Sequence, residues 1–211
     1  MIAIDGPAGA GKSTVARAVA KALGFTYLDS GAMYRAVALA ALDRGIDPDD
    51  GEGLGELAWD LDIDFEGNGI RLGGKPVEGR IRSPAVTVAA SRVSVHPQVR
   101  RAMVKRQREL IAAGNYVAEG RDIGTVVSPD SPLKVFLTAN EEERARRRAA
   151  ETGESVSRVQ EAIRDRDRRD RERADSPLLA ARESIDIDTT DLTPDQVVER
   201  IVALAREREI A

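Results

Sequence analysis

The opening segment constrains this chain more than any other part of it. Met1-Ile-Ala-Ile-Asp5 is a short apolar run that reads as a strand, and it stops at Gly6-Pro7-Ala8-Gly9-Ala10-Gly11-Lys12-Ser13. From Val15 to Leu23 the sequence turns Ala/Val-rich with helical spacing. The middle piece fits G-x-x-x-x-G-K-[ST] and lies between a strand and a helix, the setting in which that pattern has a mechanism. Glycines let the backbone curl so that successive N–H groups point inward at a helix N-terminus, forming a nest for a phosphate. In such a nest Lys12 reaches the β- and γ-phosphates of a nucleotide as a point charge, and the Ser13 hydroxyl completes a Mg2+ shell. Gly24 ends the helix, and Thr26-Tyr-Leu-Asp29 reads as a second strand. Strand, loop, helix, strand is a βαβ unit, which implies a parallel sheet covered by helices.

Composition narrows what such a sheet can carry. The 211 residues suit one domain with insertions. Apolar residues make up 42% but aromatics only 3%, so the core has to be built from Ala, Val, Leu and Ile. There is no cysteine, which removes disulfides, thiolate metal sites and cysteine nucleophiles. His96, the only histidine, precedes Pro97, which leaves no material for a Ser-His-Asp triad or a multi-histidine metal site. A net charge of −4 argues against a whole-chain grip on nucleic acid. No apolar run approaches the roughly 20 residues of a membrane span, and the N-terminus lacks a secretion-signal layout. A cytoplasmic protein is expected. Arginine outnumbers lysine 27 to 5; codon bias accounts for the bulk ratio but not for where particular arginines fall.

Along the chain, Ala32–Leu42 reads as a helix ended by Gly45. Between about Gly53 and Ser91, Ile63-Asp-Phe65, Ile70-Arg-Leu72 and Val77 alternate with polar residues, separated by Gly67-Asn-Gly69 and Gly73-Gly74. This is hairpin grammar, an antiparallel insert in an α/β pattern. Pro97–Ala113 returns to helix, and Tyr116–Glu119 and Leu133–Thr138 read as buried parallel strands. Residues 141–183 carry twelve arginines against twelve acids and few large apolar residues, the texture of a mobile helix pair. Ser184–Asp188 reads as the last strand; Thr193 caps a final helix with Pro194 at its first position and Val197, Ile201, Leu204 and Ala205 on its apolar face. The expected organisation is a single domain with core 1–52, 92–140 and 184–211, an insert at 53–91 and an arginine-rich lid at 141–183.

Three further segments ask for anions. Asp29-Ser30-Gly31-Ala-Met-Tyr34-Arg35 follows the second strand at the carboxyl edge where open parallel sheets bind ligands. There Ser30 reads as the helix N-cap, and Arg35 presents its planar fork to a second phosphate; an ordinary capped helix with one solvated arginine is the plainer account. Tyr116–Glu119 delivers Gly120-Arg121-Asp122 to the same edge, and Glu119 is placed to orient a magnesium-bound water. Arg166, Arg169, Asp170 and Arg173 share one face if their segment is helical. A solvated, ion-paired face is the plainer reading, and Arg168 with Glu172 and Arg171 with Asp175 read that way. Phosphoryl transfer, however, requires positioned cations around the transferring group, and a closing arginine-bearing lid supplies them while excluding water. A GTPase-type switch is the rival from another class, since Asp64-Phe-Glu-Gly67 fits D-x-x-G. That match falls in the hairpin insert, and no N-K-x-D segment exists.

Taken together, Ile4–Ser13, Leu28–Arg35, Gly120–Val127 and Arg166–Arg173 resemble the bacterial cytidylate kinase family of P-loop nucleoside-monophosphate kinases over nearly the whole chain. The resemblance implies an α/β P-loop kinase three-layer fold with a five-stranded parallel sheet, an antiparallel monophosphate-binding insert and a helical lid. It implies γ-phosphoryl transfer from Mg-ATP to CMP and dCMP. The ATP-side residues it implies are Gly6, Pro7, Ala8, Gly9, Ala10, Gly11, Lys12, Ser13 and Thr14, with Arg147 against the adenine. Arg146 and Arg148 beside Arg147 leave that last alignment less fixed. Ser30, Arg35, Arg121 and Arg173 correspond to contacts with the acceptor phosphate. Arg166 and Asp170 correspond to pentose readers, Arg166 also lying near the transferring group. Ser91, Arg100 and Asp122 correspond to base readers, with Tyr34 packed nearby. Lys12, Arg166 and Arg173 are the catalytic cations and Ser13 the protein's metal ligand.

The base assignment that the resemblance implies also makes chemical sense. Cytosine offers an N4 amine donor beside N3 and O2 acceptors, which suits a carboxylate next to an arginine. Uracil reverses two of those groups, leaving buried partners facing like groups. CMP and dCMP are therefore expected over UMP, with a broader UMP/CMP kinase as the alternative within the class. No exposed apolar stripe asks for a partner, so a monomer is expected.

Overall fold

The computed structural model describes residues 1–67 and 69–210, Glu66 by its backbone alone. The centre of the expected Gly67-Asn-Gly69 turn therefore lies outside the described residues. The chain divides into two compact units, Met1–Leu28 with Gly114–Ala211, and Asp29–Ala113.

The chain begins with β1 (Ile2–Asp5), α1 (Lys12–Leu23) and β2 (Thr26–Asp29). Then follow α2 (Ser30–Asp43), α3 (Gly51–Asp60), β3 (Ile63–Glu66), β4 (Gly69–Leu72), β5 (Lys75–Pro76), α4 (Glu78–Ile81), α5 (Pro84–Val93) and α6 (Pro97–Ile111). The remainder is β6 (Tyr116–Gly120), a single π-helical turn (Ile123–Val127), β7 (Leu133–Thr138), α7 (Glu141–Thr152), α8 (Val156–Glu172), β8 (Ile185–Asp188) and α9 (Pro194–Glu207).

The main sheet has the order β2-β6-β1-β7-β8, with β1 parallel to both β6 and β7, and β7 parallel to β8. Ile2 and Ile4 of β1, Val117 of β6, Leu133, Val135 and Leu137 of β7 and Ile187 of β8 are buried in one cluster. Val15, Ala16, Val19 and Ala20 of α1 and Val197, Ile201 and Ala205 of α9 join it, with Ala10 and one aromatic ring, Tyr27. This is the aliphatic core the composition demands, with helices covering a central strand that is buried throughout. Gly24 takes a left-handed conformation and closes α1, and Thr193 with Gln196 forms a capping box at the start of α9.

In the unit Asp29–Ala113, α2 packs against α5 and α3 against α6. The antiparallel sheet β3-β4-β5 pairs Ile63 with Leu72 and Arg71 with Pro76. The alternation expected across 53–91 is therefore confined to Ile63–Pro76, and α3, α4 and α5 account for the rest. Ser83 explains the last of these: its side chain accepts from the Val86 N–H just ahead of Pro84, a cap-plus-proline start that outweighs the β-branched residues behind it. Among the described residues no helix is long and apolar enough to cross a membrane.

Candidate active site

The loop between β1 and α1 takes its shape from positions where only glycine fits. Gly6 has φ 149°, and a Cβ there would lie 2.1 Å from the Leu137 carbonyl oxygen. Gly9 has φ 77° and sits against the Arg144 backbone, where a Cβ would approach the carbonyl oxygen to 3.0 Å. Gly11 is the N-cap of α1 and gives it no side-chain cap, which keeps the first-turn N–H groups from being claimed by a neighbouring side chain. Ser13 and Thr14 are exposed on that turn. Lys12 is buried and donates from Nζ to the Pro7 carbonyl at 2.7 Å. Burial, reinforced by Arg121 and Arg166, pulls its pKa down to about 7 against the opposing pull of Glu119 and Asp5.

Arginines from β6 and α8 gather around one carboxylate in the same unit. Arg121, just past β6, donates from Nε to Asp170 Oδ2 at 2.9 Å and from Nη1 to the Gly120 carbonyl at 3.2 Å. Arg173 Nη1 lies 3.9 Å from Asp170 Oδ1, and its Nη2 lies 3.6 Å from Asp122 Oδ1. Burial disfavours the charged form of Asp170, yet Arg121, Arg166 and Arg173 together hold its pKa below the ordinary value. Burial likewise opposes the Arg121 cation, and Asp170, together with Glu119 and Asp167, more than offsets it. Lys12, Arg121, Asp122, Arg166, Asp170 and Arg173 thus occur in one unit, with Lys12 within the field of Arg121 and Arg166.

Arg173 reaches this group by a different route from the expected helix face. Helix α8 ends at Glu172, and Arg173 is its C-cap in an extended conformation, φ −60° and ψ 137°. Its Nε donates to the Ser176 carbonyl at 2.6 Å, which holds the side chain inward after the helix has stopped. The same termination leaves Asp175 outside the helix, so the intrahelical Arg171–Asp175 pair is not available. Arg168 donates to Asp165 at 2.8 Å, one turn back along α8, rather than forward to the expected Glu172.

In the other unit Asp29, not Ser30, is the N-cap of α2: its Oδ1 accepts from the Ala32 N–H at 2.8 Å, and Ser30 is the first helical residue. A carboxylate ending a strand reaches the N3 amide as a hydroxyl one residue later does not. Asp29 Oδ2 also accepts from Arg35 Nη2 at 2.8 Å, while Arg35 Nε is buried without a hydrogen-bond partner. An arginine half-satisfied by its own helix cap has the capacity to take an anion. Ser91 of α5 and Arg100 of α6 are buried, and the Arg100 guanidinium lies 5.6 Å from the centre of the Tyr34 ring.

Of three consecutive arginines in α7, Arg147 is the one held beside the phosphate loop. It donates to Glu143, to Thr189 Oγ1 at 2.9 Å and to the Thr189 carbonyl at 2.6 Å, and its Nη1 lies 3.9 Å from a Cβ built on Gly11. Arg146, exposed, and Arg148, half-buried, pair along their own helix with Glu143 and Glu151.

Sequence reasoning missed two features. Asp5, at the end of β1, accepts the backbone N–H groups of Ile123 at 2.9 Å and Gly124 at 2.7 Å. The buried Arg144–Asp167 pair brackets the backbone of Ala8. An acid ending a strand was the one available signal for Asp5; Asp167 looked like any other member of a charged helix. Tyr27 donates to Glu119 at 2.8 Å and fixes that carboxylate. Among the described residues no cluster of three or more Asp, Glu or His side chains could enclose a cation. Mg2+ in phosphoryl-transfer sites keeps several waters and substrate phosphates in its shell and takes few protein ligands, a phosphate-loop Ser or Thr hydroxyl among them, and the exposed Ser13 hydroxyl fits that part.

The family model for cytidylate kinase matches residues 2–207. The cytidylate kinase of Caldanaerobacter subterraneus subsp. tengcongensis is 49% identical over 98% of this chain and 94% of its own length. That of Mycolicibacterium paratuberculosis is 47% identical over 99% of this chain and 96% of its own. A crystal structure of a gluconokinase from Sinorhizobium meliloti 1021 aligns with a TM-score of 0.52 at 18% identity, covering 99% of this chain and 93% of that one; this likeness bears on fold alone. With a phosphate loop, the arginine group and full-length similarity in agreement, the chain belongs to the cytidylate kinase family.

Proposed function

We propose that the protein transfers the γ-phosphoryl group of ATP to CMP and dCMP, giving CDP or dCDP and ADP. The observation that carries this reading is the gathering of Arg121, Arg166 and Arg173 around Asp170 in the unit that also holds the Lys12 loop. An oxygen of the CMP phosphate attacks the γ-phosphorus in line; the new O–P bond forms as the bond to the β,γ-bridging oxygen breaks, and ADP leaves. No general base is required, because a phosphate monoester with a second pKa of about 6 is mostly dianionic at neutral pH. The protein contributes alignment and charge neutralisation through Lys12, Arg166 and Arg173.

In this reading Gly6 to Thr14 hold the ATP phosphates and Arg147 flanks the adenine. Ser30, Arg35, Arg121 and Arg173 hold the acceptor phosphate, and Arg166 and Asp170 read the pentose. Ser91, Arg100 and Asp122 read the base beside Tyr34. Ser13 holds Mg2+, with Glu119 orienting its water; the ion, when bound, neutralises charge on the transferring phosphates. The insert at 53–91 serves the monophosphate, and 141–183 closes as a lid. The working form is a cytoplasmic monomer. ADP release measured with ATP alone and then with CMP, dCMP, UMP and AMP tests the reading. Strong stimulation by CMP and dCMP is expected. Equal stimulation by UMP points to a broader pyrimidine kinase, and ADP release indifferent to every monophosphate overturns the reading in favour of a switch.

A further inference from the structure

Ala8 of the phosphate loop is held on every side by the α7–α8 helix pair. Its N–H donates to Asp167 Oδ1 at 3.2 Å, and its carbonyl accepts from Arg144 Nη1 at 2.9 Å. Arg144 and Asp167 are themselves ion-paired, and both are buried. Arg144 Nε is taken by the Ala139 carbonyl at 3.1 Å, which anchors the guanidinium at the end of β7. The Ala8 methyl belongs to the small apolar cluster of Ala145, Ala149, Val159 and Ile163 inside the helix pair, and Gly9 lies directly against the Arg144 backbone.

A buried ion pair is a poor device for stability alone, since desolvation of two charges offsets most of their attraction. Its better-attested use is to fix one arrangement among several. Here the arrangement fixed is loop against helix. Asp167 is adjacent to Arg166 and three residues before Asp170, so whatever fixes Asp167 fixes how far α8 is rotated and where that cluster points.

We infer that Arg144 and Asp167 are positioning residues that lock the phosphate loop to α8, so that the shape the loop takes around ATP sets the placement of Arg166 and Asp170. The two residues touch neither nucleotide; they act through Ala8 on one side and through the α8 backbone on the other. The base of the helix pair then moves with the loop, and any closing motion belongs to its far end, around Gly153. This inference rests on the kinase reading for its second half only.

The test uses the full chain carrying Asp167→Asn, which keeps an oxygen for the Ala8 N–H but drops the charge, and Arg144→Met/Asp167→Leu, which replaces the pair with apolar side chains. Replacing both members of a buried pair together is often neutral for stability, so the double variant is the arm expected to stay folded. Calorimetric ATP affinity without monophosphate is expected to fall about tenfold in both variants, and kcat with CMP by about tenfold or more, from a displacement of under an ångström. KM for CMP should rise as well, because the Arg166 and Asp170 that the pair places are the pentose readers and Asp170 in turn holds Arg121 and Arg173. ATP affinity and kcat within about twofold of wild type, measured well below the melting temperature, would show a structural pair only and overturn the inference. If the wild-type protein does not phosphorylate CMP, the kinase reading fails, while the ATP-affinity arm still decides whether the pair shapes the loop.

Discussion

The Asp5 carboxylate receives the Gly124 backbone N–H at 2.7 Å and ties the end of β1 to the π-helical turn that follows Arg121 and Asp122. That turn is wound with Val127 N–H to Asp122 and Ser128 N–H to Ile123 carbonyl bonds at 3.2 and 2.7 Å. Two N–H groups at its start have no partner within it, and Asp5 takes both. The side chain that ends the strand ahead of the phosphate loop therefore also fixes the segment presenting Arg121 and Asp122.

Burial pushes the Asp5 pKa up to about 6, more than the two N–H bonds pull it down. A raised carboxyl pKa means the folded protein holds this proton more tightly than the unfolded chain does. Stability then falls as pH rises from about 4 to about 6 and is level above that. Asp5→Asn should lower the melting temperature, by leaving one N–H facing an amide, and should flatten this part of its pH profile. Parallel wild-type and variant melting curves between pH 4 and 7 would show that Asp5 is not the titrating group.

Lys12 presents the opposite sign. Its pKa is drawn down to about 7 by burial and neighbouring arginines, so the nucleotide-free fold is penalised below pH 7 and recovers as pH rises toward 10.5. Lys12→Met should therefore raise the melting temperature of the nucleotide-free protein at pH 6 by a few degrees, on the order of 1–3 kcal/mol less the bond to Pro7. The gain should shrink by pH 9. Turnover should fall by about a thousandfold or more. Near-full activity in this variant would remove Lys12 from the chemistry.

Asp170 neutralises three guanidinium groups at once. Asp170→Asn leaves like charges facing one another in a buried site, and a loss on the order of 3 kcal/mol is expected by thermal or urea denaturation. Added sulfate should restore stability to the variant more than to the wild type, because an anion can replace the missing charge. Equal sulfate responses would mean that the arginines disperse once the carboxylate is gone.

Asp122→Asn keeps the volume of the side chain and reverses part of its hydrogen-bonding sense. The expected outcome is a KM for CMP raised by about tenfold to a hundredfold with ATP affinity nearly unchanged. Titration calorimetry with each nucleotide separately checks this, and equal losses for both take Asp122 out of the base pocket.

Thr193→Ala provides a control away from the site. Removing the capping box of α9 should cost about 1 kcal/mol, or roughly 2–4 °C in melting temperature, with kcat unchanged. A large loss of activity would mean that α9 influences the phosphate loop through α1.

The sequence determined the parts whose physics is local. A glycine run that only a phosphate nest requires, the alternation of buried strand and helix, and the caps at Gly24 and Thr193 are properties of short windows, and each appears where the spacing placed it. The antiparallel insert was also legible in kind, though its extent was not, because β-branched Val86, Thr87 and Val88 follow a strong helix start at Ser83-Pro84. Only the tertiary structure decided which charged residue serves which purpose. Asp167 and Asp165 are two positions apart in one charged helix, yet one is buried against Ala8 and the other pairs with Arg168 at the surface. Periodicity gives the face of a helix but not what that face meets or where the helix stops. Arg173 turning inward beyond α8 toward Asp122, and Asp5 holding a turn 118 residues away in sequence, both depend on neighbours that the fold alone brings together.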